Sequence, residues 1–442
     1  MNDSLNSLDS LNALLERATR PGFEDWRRGI VRLGGCVSPV NLAGHGVSVD
    51  AATGEVLRSL SGGLIIPCGN RRAVVCLPCA RTYRGDTFHL IRAGLTGGKE
   101  VTERVGGHPR VFATLTAPGF GAVHTRRERS GEPLPCRPRP ADQRCPHGRP
   151  IGCRIRHTVG DPRLGEPLCP RCYDYAGAVL WQAHAGTLWH RFTLELRREL
   201  ARQAGLTRSA FAERVRLSYA KVAEYQRRGL VHFHAVVRLD GPDGPSTVPP
   251  RWATTELLAD AVRTAATRVR LRAVGADVIG ARVLRFGPQV DVRPIAAFGD
   301  GQRLTSSAVA GYIAKYATKG AETAGATASR IRDASELVAL PLRYHVLRMA
   351  ETCWWLGGLP PFAELGLRRW AHMLGYRGHF TTKSRRYSTT LTALRTARAT
   401  HRAGGKATVT VGRWHYAGRG YEPAGELIAA SVREEGEPYG TH

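Results

Sequence analysis

The sequence predicts an α+β protein built around an antiparallel sheet that is flanked by helices. Between residues 111 and 320 the predicted elements follow the order strand, helix, strand, strand, helix, strand, helix. Two of these strands are separated only by Arg227, Arg228 and Gly229, a connection short enough for a hairpin and therefore for antiparallel pairing. No internal repeat is evident along the chain.

Periodicity and turn residues define the individual elements. Leucines recur at helical spacing from Leu5 to Leu15 and predict an amphipathic packing helix over 4–18, too short for a zipper. The other predicted helices span 175–205, 257–274 and 306–320, the last with Ser306 or Ser307 as its N-cap and Gly320 as its end. The predicted strands span 111–117, 218–226, 230–239 and 283–295, and 240–250 is a predicted loop.

Composition narrows the class of protein. The chain has 442 residues, and 64 Lys and Arg against 37 Asp and Glu give a formal net charge of +27. This excess favours a polyanionic partner such as nucleic acid and excludes an acidic disordered tail protein. The N-terminal segment carries acids and serines instead of an apolar signal sequence, and no long apolar run predicts a membrane span. We therefore expect a cytoplasmic protein whose cysteines are reduced and which has no membrane partner.

The positive charge is concentrated near the C-terminus. Between Glu364 and Glu422 there is no acidic residue, whereas 12 of 57 positions are Lys or Arg. Because aromatic residues are interspersed and 367–376 and 388–399 have helical patterns, we interpret 326–442 as a basic, helical DNA-binding region, with a winged-helix module as one option. A solvated charged face is the alternative. The predicted DNA contacts are Arg368, Arg369, Lys383, Arg385 and Arg386.

Ten cysteines, two pairs of which have the spacing C-x-x-C, predict structural zinc, which needs four nitrogen or sulfur ligands. The first predicted set is Cys36, Cys68, Cys76 and Cys79. The second is Cys145, Cys153, Cys169 and Cys172, with Cys136, His147 and His157 as further candidates. Buried free thiols are the alternative, and we interpret Cys353, beside two tryptophans, as a core residue.

The segment His232-Phe233-His234 predicts a second kind of metal site. On a strand, residues two apart point to the same face, so both imidazoles project side by side while Phe233 faces the core. Glu224 lies on the strand that pairs with this one across the predicted turn. Two histidines and a carboxylate leave open positions on Mg²⁺ or Mn²⁺ for a scissile phosphate. Alternatively, the two histidines are structural.

A pair of tyrosines follows on a predicted helix. Tyr312 and Tyr316 are four residues apart and share a face, while Lys315 and Lys319 share a neighbouring face. A tyrosine can attack a phosphodiester, forming a phosphotyrosyl link and releasing a 3′-hydroxyl, and lysines can neutralise the charge that develops. Ordinary helix packing is the alternative.

The motifs VHFHAVVRL and YIAKYATK, in this order, resemble the HUH endonucleases that initiate rolling-circle replication. The tyrosine spacing and Glu224 resemble the two-tyrosine initiators, and VFATLTAPGFGAVH (111–124) fits their first motif. Together with CGNRR, CPHG, PLCPRCYDYAG and AEYQRRGLVHFHA, the sequence is most similar to the RepSA type of actinobacterial plasmids and integrative conjugative elements.

The resemblance implies an HUH fold and a nicking endonuclease and strand transferase. His232 and His234 would be metal ligands with Glu224, or alternatively Gln226, as the third. Tyr312 or Tyr316 would be the nucleophile, either in turn or with one of them merely packed. The released 3′-hydroxyl would prime a host polymerase on double-stranded origin DNA opened to a single strand at the nick site.

The predicted organisation has four parts. These are an N-terminal helix (1–29), a zinc-binding region (30–106), an endonuclease domain (107–325) with a zinc-binding insertion at 136–172, and the basic region (326–442). No phosphate-binding G-x-x-x-x-G-K-[ST] motif is present, so unwinding would need a host helicase. The alternatives are an HUH transposase, a conjugative relaxase, which usually has its tyrosine before the histidines, and a non-catalytic zinc-finger regulator.

Overall fold

The computed structural model describes residues 2–140, 142–295, 305–402, 404–405 and 407–435. The helices are α1 (Asn2–Ala18), α2 (Phe23–Val31), α3 (Leu77–Thr96), α4 (Tyr175–Gln203), α5 (Arg208–Arg214), α6 (Thr255–Arg268), α7 (Ser306–Ala317), α8 (Ala334–Ala339), α9 (Tyr344–Leu356), α10 (Leu391–Arg402) and α11 (Pro423–Glu435). The strands are β1 (Val40–Asp50), β2 (Val56–Ile66), β3 (Arg110–Leu115), β4 (Arg127–Arg129), β5 (Glu132–Leu134), β6 (Arg216–Tyr225), β7 (Val231–Asp240), β8 (Leu271–Ala273), β9 (Arg282–Leu284), β10 (Val290–Pro294), β11 (Thr381–Lys383) and β12 (Thr408–Arg419). No helix in these ranges is long and apolar enough to cross a membrane.

The chain forms two compact units, and the first combines both ends of the sequence, residues 1–90 and 389–442. Here β1 lies between β12 and β2 in an antiparallel sheet, with Val40 opposite Arg419 and Asp50 opposite Thr408. Helices α1 and α2 contact α11. The predicted basic region, 326–442, is therefore divided between the two units: residues 389–442 belong to the first unit and 326–388 to the second.

The second unit, residues 91–388, contains a five-stranded antiparallel sheet in the order β10-β3-β7-β6-β11. Helices and antiparallel sheets are thus combined as the sequence predicts. The predicted hairpin joins β6 to β7, and Gly229 adopts the left-handed conformation (φ 76°) that this turn requires. Phe233 is fully buried on one face of β7 and packs against Trp189 of α4. The other face of the same strand is therefore available to carry polar groups.

A buried glutamine on α4 fixes the hairpin. Gln182 is fully buried, and its amide nitrogen donates to the carbonyl of Gly229 at 3.0 Å. Its amide oxygen accepts a hydrogen bond from the backbone nitrogen of Val231 at 2.9 Å. Both backbone groups lie just before His232, so Gln182 sets the starting point of β7 relative to the core.

Several element boundaries differ from the sequence-based expectation. Helix α6 ends at Arg268 because the chain turns into β8, which pairs with β9, and residues 283–295 form parts of two strands instead of one. Helix α7 is capped by Thr305, whose hydroxyl accepts from the backbone nitrogen of Ala308.

The predicted helix over 367–376 is wrong, whereas the one over 388–399 is confirmed as α10. Residues 367–376 contain only a short 3-10 turn, Ala371–Met373. Leu374 and Gly375 have positive φ angles of 51° and 88°, which end any helix there. Leu367 and Tyr376 are fully buried, so packing into the core of the second unit determines this path.

Candidate functional site

Glu224, His232 and His234 come together on one face of the central hairpin. Glu224 is directly opposite His232 in the β6–β7 register. One carboxylate oxygen, Oε2 of Glu224, lies 3.0 Å from Nε2 of His232 and 2.8 Å from Nε2 of His234. The two imidazole nitrogens are 3.1 Å apart. We refer to these three residues as the triad.

Neighbouring strand residues orient the His234 ring. Thr114 of β3 lies opposite His234, and its hydroxyl is 3.0 Å from Nδ1, so Nε2 is left to face the triad. The ring of Phe112 stacks parallel to the imidazole, with centroids 5.7 Å apart. Burial lowers the pKa of His234, which favours the neutral, metal-binding form. Burial alone would raise the pKa of Glu224, but hydrogen bonds from the two histidines lower it to about 2.

The ligand spacing in the triad fits an octahedral divalent cation. Adjacent ligands of an ion with bonds of about 2.1 Å lie about 3.0 Å apart, and the triad separations are 2.8 to 3.1 Å. Glu224 is the carboxylate that lies with the two histidines, whereas the side-chain amide oxygen of the alternative, Gln226, accepts a hydrogen bond from Arg228 in the turn. Three protein ligands on one side leave the remaining positions for oxygen ligands such as phosphate.

Tyr312 reaches the triad from α7, which contacts β6. Its hydroxyl is 3.2 Å from Nε2 of His234 and 3.4 Å from Oε2 of Glu224. The tyrosine is 37% exposed, so a polymeric substrate can approach it from solvent. Burial and then the charge of Glu224 raise the pKa of Tyr312 above its ordinary value, which favours the protonated phenol.

Tyr316 and the lysines lie further along the same helix. The Tyr316 ring is 4.7 Å from that of Tyr312, and the ammonium groups of Lys319 and Lys315 lie 4.9 and 5.9 Å from the Tyr316 ring centre. The Tyr316 ring centre is 6.0 Å from that of His234. The Tyr312 hydroxyl lies within hydrogen-bond distance of Glu224 and His234. Tyr316 is also close to Glu224, since burial and then the charge of Glu224 raise the pKa of the Tyr316 phenol, and both lysines lie beside the Tyr316 ring.

The first predicted zinc set is brought together in the first unit. Sulfur atoms of Cys36, Cys68, Cys76 and Cys79 all lie within 4.8 Å of one another. Three of the pairs are separated by 3.6, 3.7 and 3.9 Å. A tetrahedral zinc with Zn–S bonds of about 2.3 Å spaces its ligands by about 3.8 Å, so this cluster could bind zinc.

The second predicted set is not brought together as a unit, and this corrects the expectation. Cys145, Cys169 and Cys172 are joined by His147, whose Nδ1 lies 3.1 Å from the sulfur of Cys172. Cys153 instead belongs to a further cluster in the second unit. This third cluster consists of His124, Cys136, Cys153 and His157. The reason is the chain path: Arg137 and Cys153 exchange backbone hydrogen bonds, so residues 136 and 153 are neighbours.

Two residues of the third cluster have supporting contacts typical of metal ligands. The Nδ1–H of His157 donates to Asp161 at 2.6 Å, which leaves Nε2 towards the sulfur of Cys153, 3.5 Å away. The backbone nitrogen of Thr125 donates to the sulfur of Cys136 at 3.2 Å. His124, the fourth member of this cluster, carries no sequence signal as a ligand candidate, because it has no C-x-x-C or similar spacing around it. The lone Cys353 is fully buried, as expected for a core residue.

The five predicted DNA contacts have three different surroundings. Lys383 is half-buried and its ammonium donates to three carbonyls, those of Ser384, Arg385 and Ser388, so it serves the local loop. Arg368 and Arg369 are exposed and lie over the rings of Trp354 and Trp370. Arg385 and Arg386 are exposed and line a groove of about 390 Å³ in the second unit. Four more arginines, Arg197, Arg198, Arg208 and Arg216, line the same groove.

Known proteins resemble this chain over nearly its whole length. The model of the RepSA family, described as replication initiator protein, pSAM2, matches residues 22–434. A replication initiator protein from Streptomyces ambofaciens is 46% identical over 454 aligned residues, which cover 98% of this chain and 94% of that protein. No solved structure matches the chain significantly. The extent of both matches shows that the chain belongs to the RepSA family of replication initiator proteins.

Proposed function

We propose that this initiator belongs to the HUH endonucleases and nicks one strand of origin DNA through Tyr312, leaving a 3′-hydroxyl that primes rolling-circle replication. The observation that carries the proposal is the position of the Tyr312 hydroxyl, 3.2 Å from His234 and 3.4 Å from Glu224. A nucleophile this close to a metal-binding triad is placed to attack a phosphate that the same site holds.

In the proposed reaction the oxygen of Tyr312 bonds to phosphorus and the bond from phosphorus to the 3′-oxygen breaks. The phenolic proton passes, overall, to the departing 3′-oxygen, so the products are a 5′-phosphotyrosyl link and a 3′-hydroxyl. Mg²⁺ or Mn²⁺ held by the triad would polarise the scissile phosphate. Rejoining is the same reaction in reverse.

Tyr316 is the candidate for the second cleavage, which ends a round of replication. It lies against Tyr312 and beside Lys315 and Lys319, whose positive charges suit a phosphate held at that position. We assign the first cleavage to Tyr312 because its hydroxyl lies within 3.4 Å of both Glu224 and His234.

The remaining parts of the chain would support this reaction. The groove around Arg385 and Arg386 presents six arginines, which suits the phosphates of duplex origin DNA. The three cysteine and histidine clusters would hold structural zinc. Host helicase and polymerase would supply unwinding and synthesis in the cytoplasm.

The test is covalent capture of the DNA. Protein is incubated with a 5′- or 3′-labelled single-stranded origin oligonucleotide and Mg²⁺ or Mn²⁺, and the linked peptide is identified by mass spectrometry. We expect an adduct at Tyr312 that chelation of the metal prevents. The Tyr312→Phe variant should form no adduct or form it at Tyr316. The Tyr312→Phe, Tyr316→Phe double variant should still bind duplex origin DNA without nicking it.

Tyr344→Phe is the matched control, because Tyr344 is an exposed tyrosine of α9 outside the site. It should form the adduct at the wild-type rate. If the wild-type protein forms no adduct with any fragment of the origin, the nicking function is refuted. If the double variant still nicks, both tyrosines are removed from the mechanism.

A further inference from the structure

A cleft lies near the triad in the second unit. Its volume is about 580 Å³, within the range of pockets that hold a small organic ligand. The charged and amide side chains that line it are Arg126, Arg137, Arg227, Arg228, Gln226 and Gln289. No acidic residue is among the described residues of this lining.

The cleft begins two residues further along the chain than the triad and its hydrogen-bond partner Thr114. Thr116, in its wall, follows Thr114 by two residues, and Thr114 is the hydrogen-bond partner of His234. Gln226, also in its wall, follows Glu224 by two residues and lies in the turn just after β6 ends. Two residues along a strand span about 7 Å. The cleft and the triad are therefore about one nucleotide step apart, at the same end of the sheet.

The arginines of the cleft differ in their hydrogen-bond partners. Arg228 donates to the carbonyls of Ala117 and Pro118, so it holds the wall together. The Nε of Arg137 is buried and has no hydrogen-bond partner among the described residues, which points to a ligand that accepts from it. Arg227 is exposed at the tip of the hairpin, and its own carbonyl accepts from Arg343, so its backbone is fixed while its side chain faces outward.

We infer that this cleft binds the nucleotide next to the scissile phosphate in the single-stranded DNA, and that it contributes to the choice of nick site. The inference rests on the proposed nicking function, since it assigns the cleft to the strand that is cut. Arginines would contact the phosphate and stack on the base, as in other single-strand binding sites. The amides of Gln226 and Gln289 are suited to hydrogen bonding with a base edge.

One residue of the third cysteine and histidine cluster lines this cleft, and another is next in sequence to a lining residue. His124 lines it, and Arg137 follows Cys136 directly in the chain. The metal-binding loop would therefore act as one wall of a nucleotide site as well as a local stabiliser.

The test separates DNA binding from cleavage. In the Tyr312→Phe, Tyr316→Phe background, a single-stranded origin 20-mer spanning the nick site is titrated by fluorescence anisotropy at several salt concentrations. Adding Arg227→Ala should weaken binding and lower the slope of log K against log salt by about 0.7, the value for one phosphate contact on a single strand. Adding Arg272→Ala, an exposed arginine of β8 outside the cleft, should change neither quantity.

Photocrosslinking then locates the base. The same oligonucleotide with 5-iododeoxyuridine at single positions should crosslink to 119–126, 226–228 or 287–289 only when the label is beside the scissile phosphate. An unchanged salt slope for Arg227→Ala, or crosslinks that fall elsewhere, would overturn the inference even if wild-type protein forms the tyrosine adduct. Absence of the wild-type adduct refutes the nicking function itself and, with it, the assignment of the cleft to the cut strand.

Discussion

Lys221 is a buried cation whose removal should stabilise the protein. It lies on β6 and points to the face opposite Glu224, towards α4, where it is 4% exposed. Its ammonium donates to the carbonyl of His379 at 3.1 Å and lies 4.5 Å from the ring centre of Phe233. Burial lowers the pKa of Lys221 to about 7, from 10.5 for the free side chain.

The sign of the pH dependence follows from proton binding. Between pH 7 and 10.5 the unfolded chain binds a proton at Lys221 that the folded chain has released, so stability rises with pH across this window. Below pH 7 the full cost of burying the charge applies, about 5 kcal/mol from a pKa difference of this size. Lys221→Met, which fills a similar volume without charge, should therefore raise the free energy of unfolding by roughly 2 to 5 kcal/mol near pH 6.5.

The measurement is urea unfolding of wild type and Lys221→Met between pH 6.5 and 9.5. The advantage of the methionine variant should shrink steadily as pH rises above 7, because folding then releases the proton of Lys221 and the cost of that release falls as the pH approaches 10.5, the pKa in the unfolded chain. Lys99→Met, at an exposed position of the same unit, is the control and should show no such trend. A stability difference between wild type and Lys221→Met that does not change with pH would refute the reasoning, since it would mean that Lys221 keeps its charge in the fold.

Three further predictions follow from buried polar groups and metal ligands. Asp240 is fully buried and bonds to Arg238 and His108, so Asp240→Asn should lower the free energy of unfolding by about 3 to 5 kcal/mol in urea, by leaving the arginine charge unpaired; a loss below 1 kcal/mol would contradict this. Elemental analysis should find about three zinc ions per chain, and Cys153→Ser should lower the number to about two; an unchanged content would exclude Cys153 as a ligand. Gln182→Leu should lower the free energy of unfolding by about 2 kcal/mol and slow formation of the DNA adduct, because the backbone groups of Gly229 and Val231 lose their hydrogen-bond partner. Adduct formation at the wild-type rate would show that the hairpin does not need Gln182.

The predictable part of the site is the part that local periodicity controls. The two-residue period of a strand places His232 and His234 on one face, and the short hairpin turn brings Glu224 opposite them, so one sequence segment contains the whole triad. A similar argument holds for Tyr312 and Tyr316 on α7. How closely each tyrosine hydroxyl approaches the triad depends on how α7 docks on β6, a tertiary contact between distant segments.

Other features depend on the chain path and carry no local signal. Strand β12, near the C-terminus, pairs with β1, near the N-terminus. The lack of acidic residues between Glu364 and Glu422 predicts the charge of this part of the chain but not its strand partner. The distribution of thiols between two clusters is also a tertiary property. Cys145 and Cys153 are equivalent by spacing, and the bonds between Arg137 and Cys153 assign the second of them to the cluster of Cys136.

The segment 118–174 contains two of the cysteine and histidine clusters and part of the cleft wall. Within its described residues, regular structure amounts to the short strands β4 and β5 and one 3-10 turn, and few apolar side chains such as Val123 and Leu164 are buried. So small an apolar core cannot by itself offset the conformational entropy of ordering such a loop. Metal bound by the two Cys and His clusters would supply that order, and one of these clusters contributes His124 to the wall of the cleft. Loss of metal from the third cluster should therefore reduce single-stranded DNA binding before it unfolds the five-stranded sheet, whose core is formed by α4 and the hairpin.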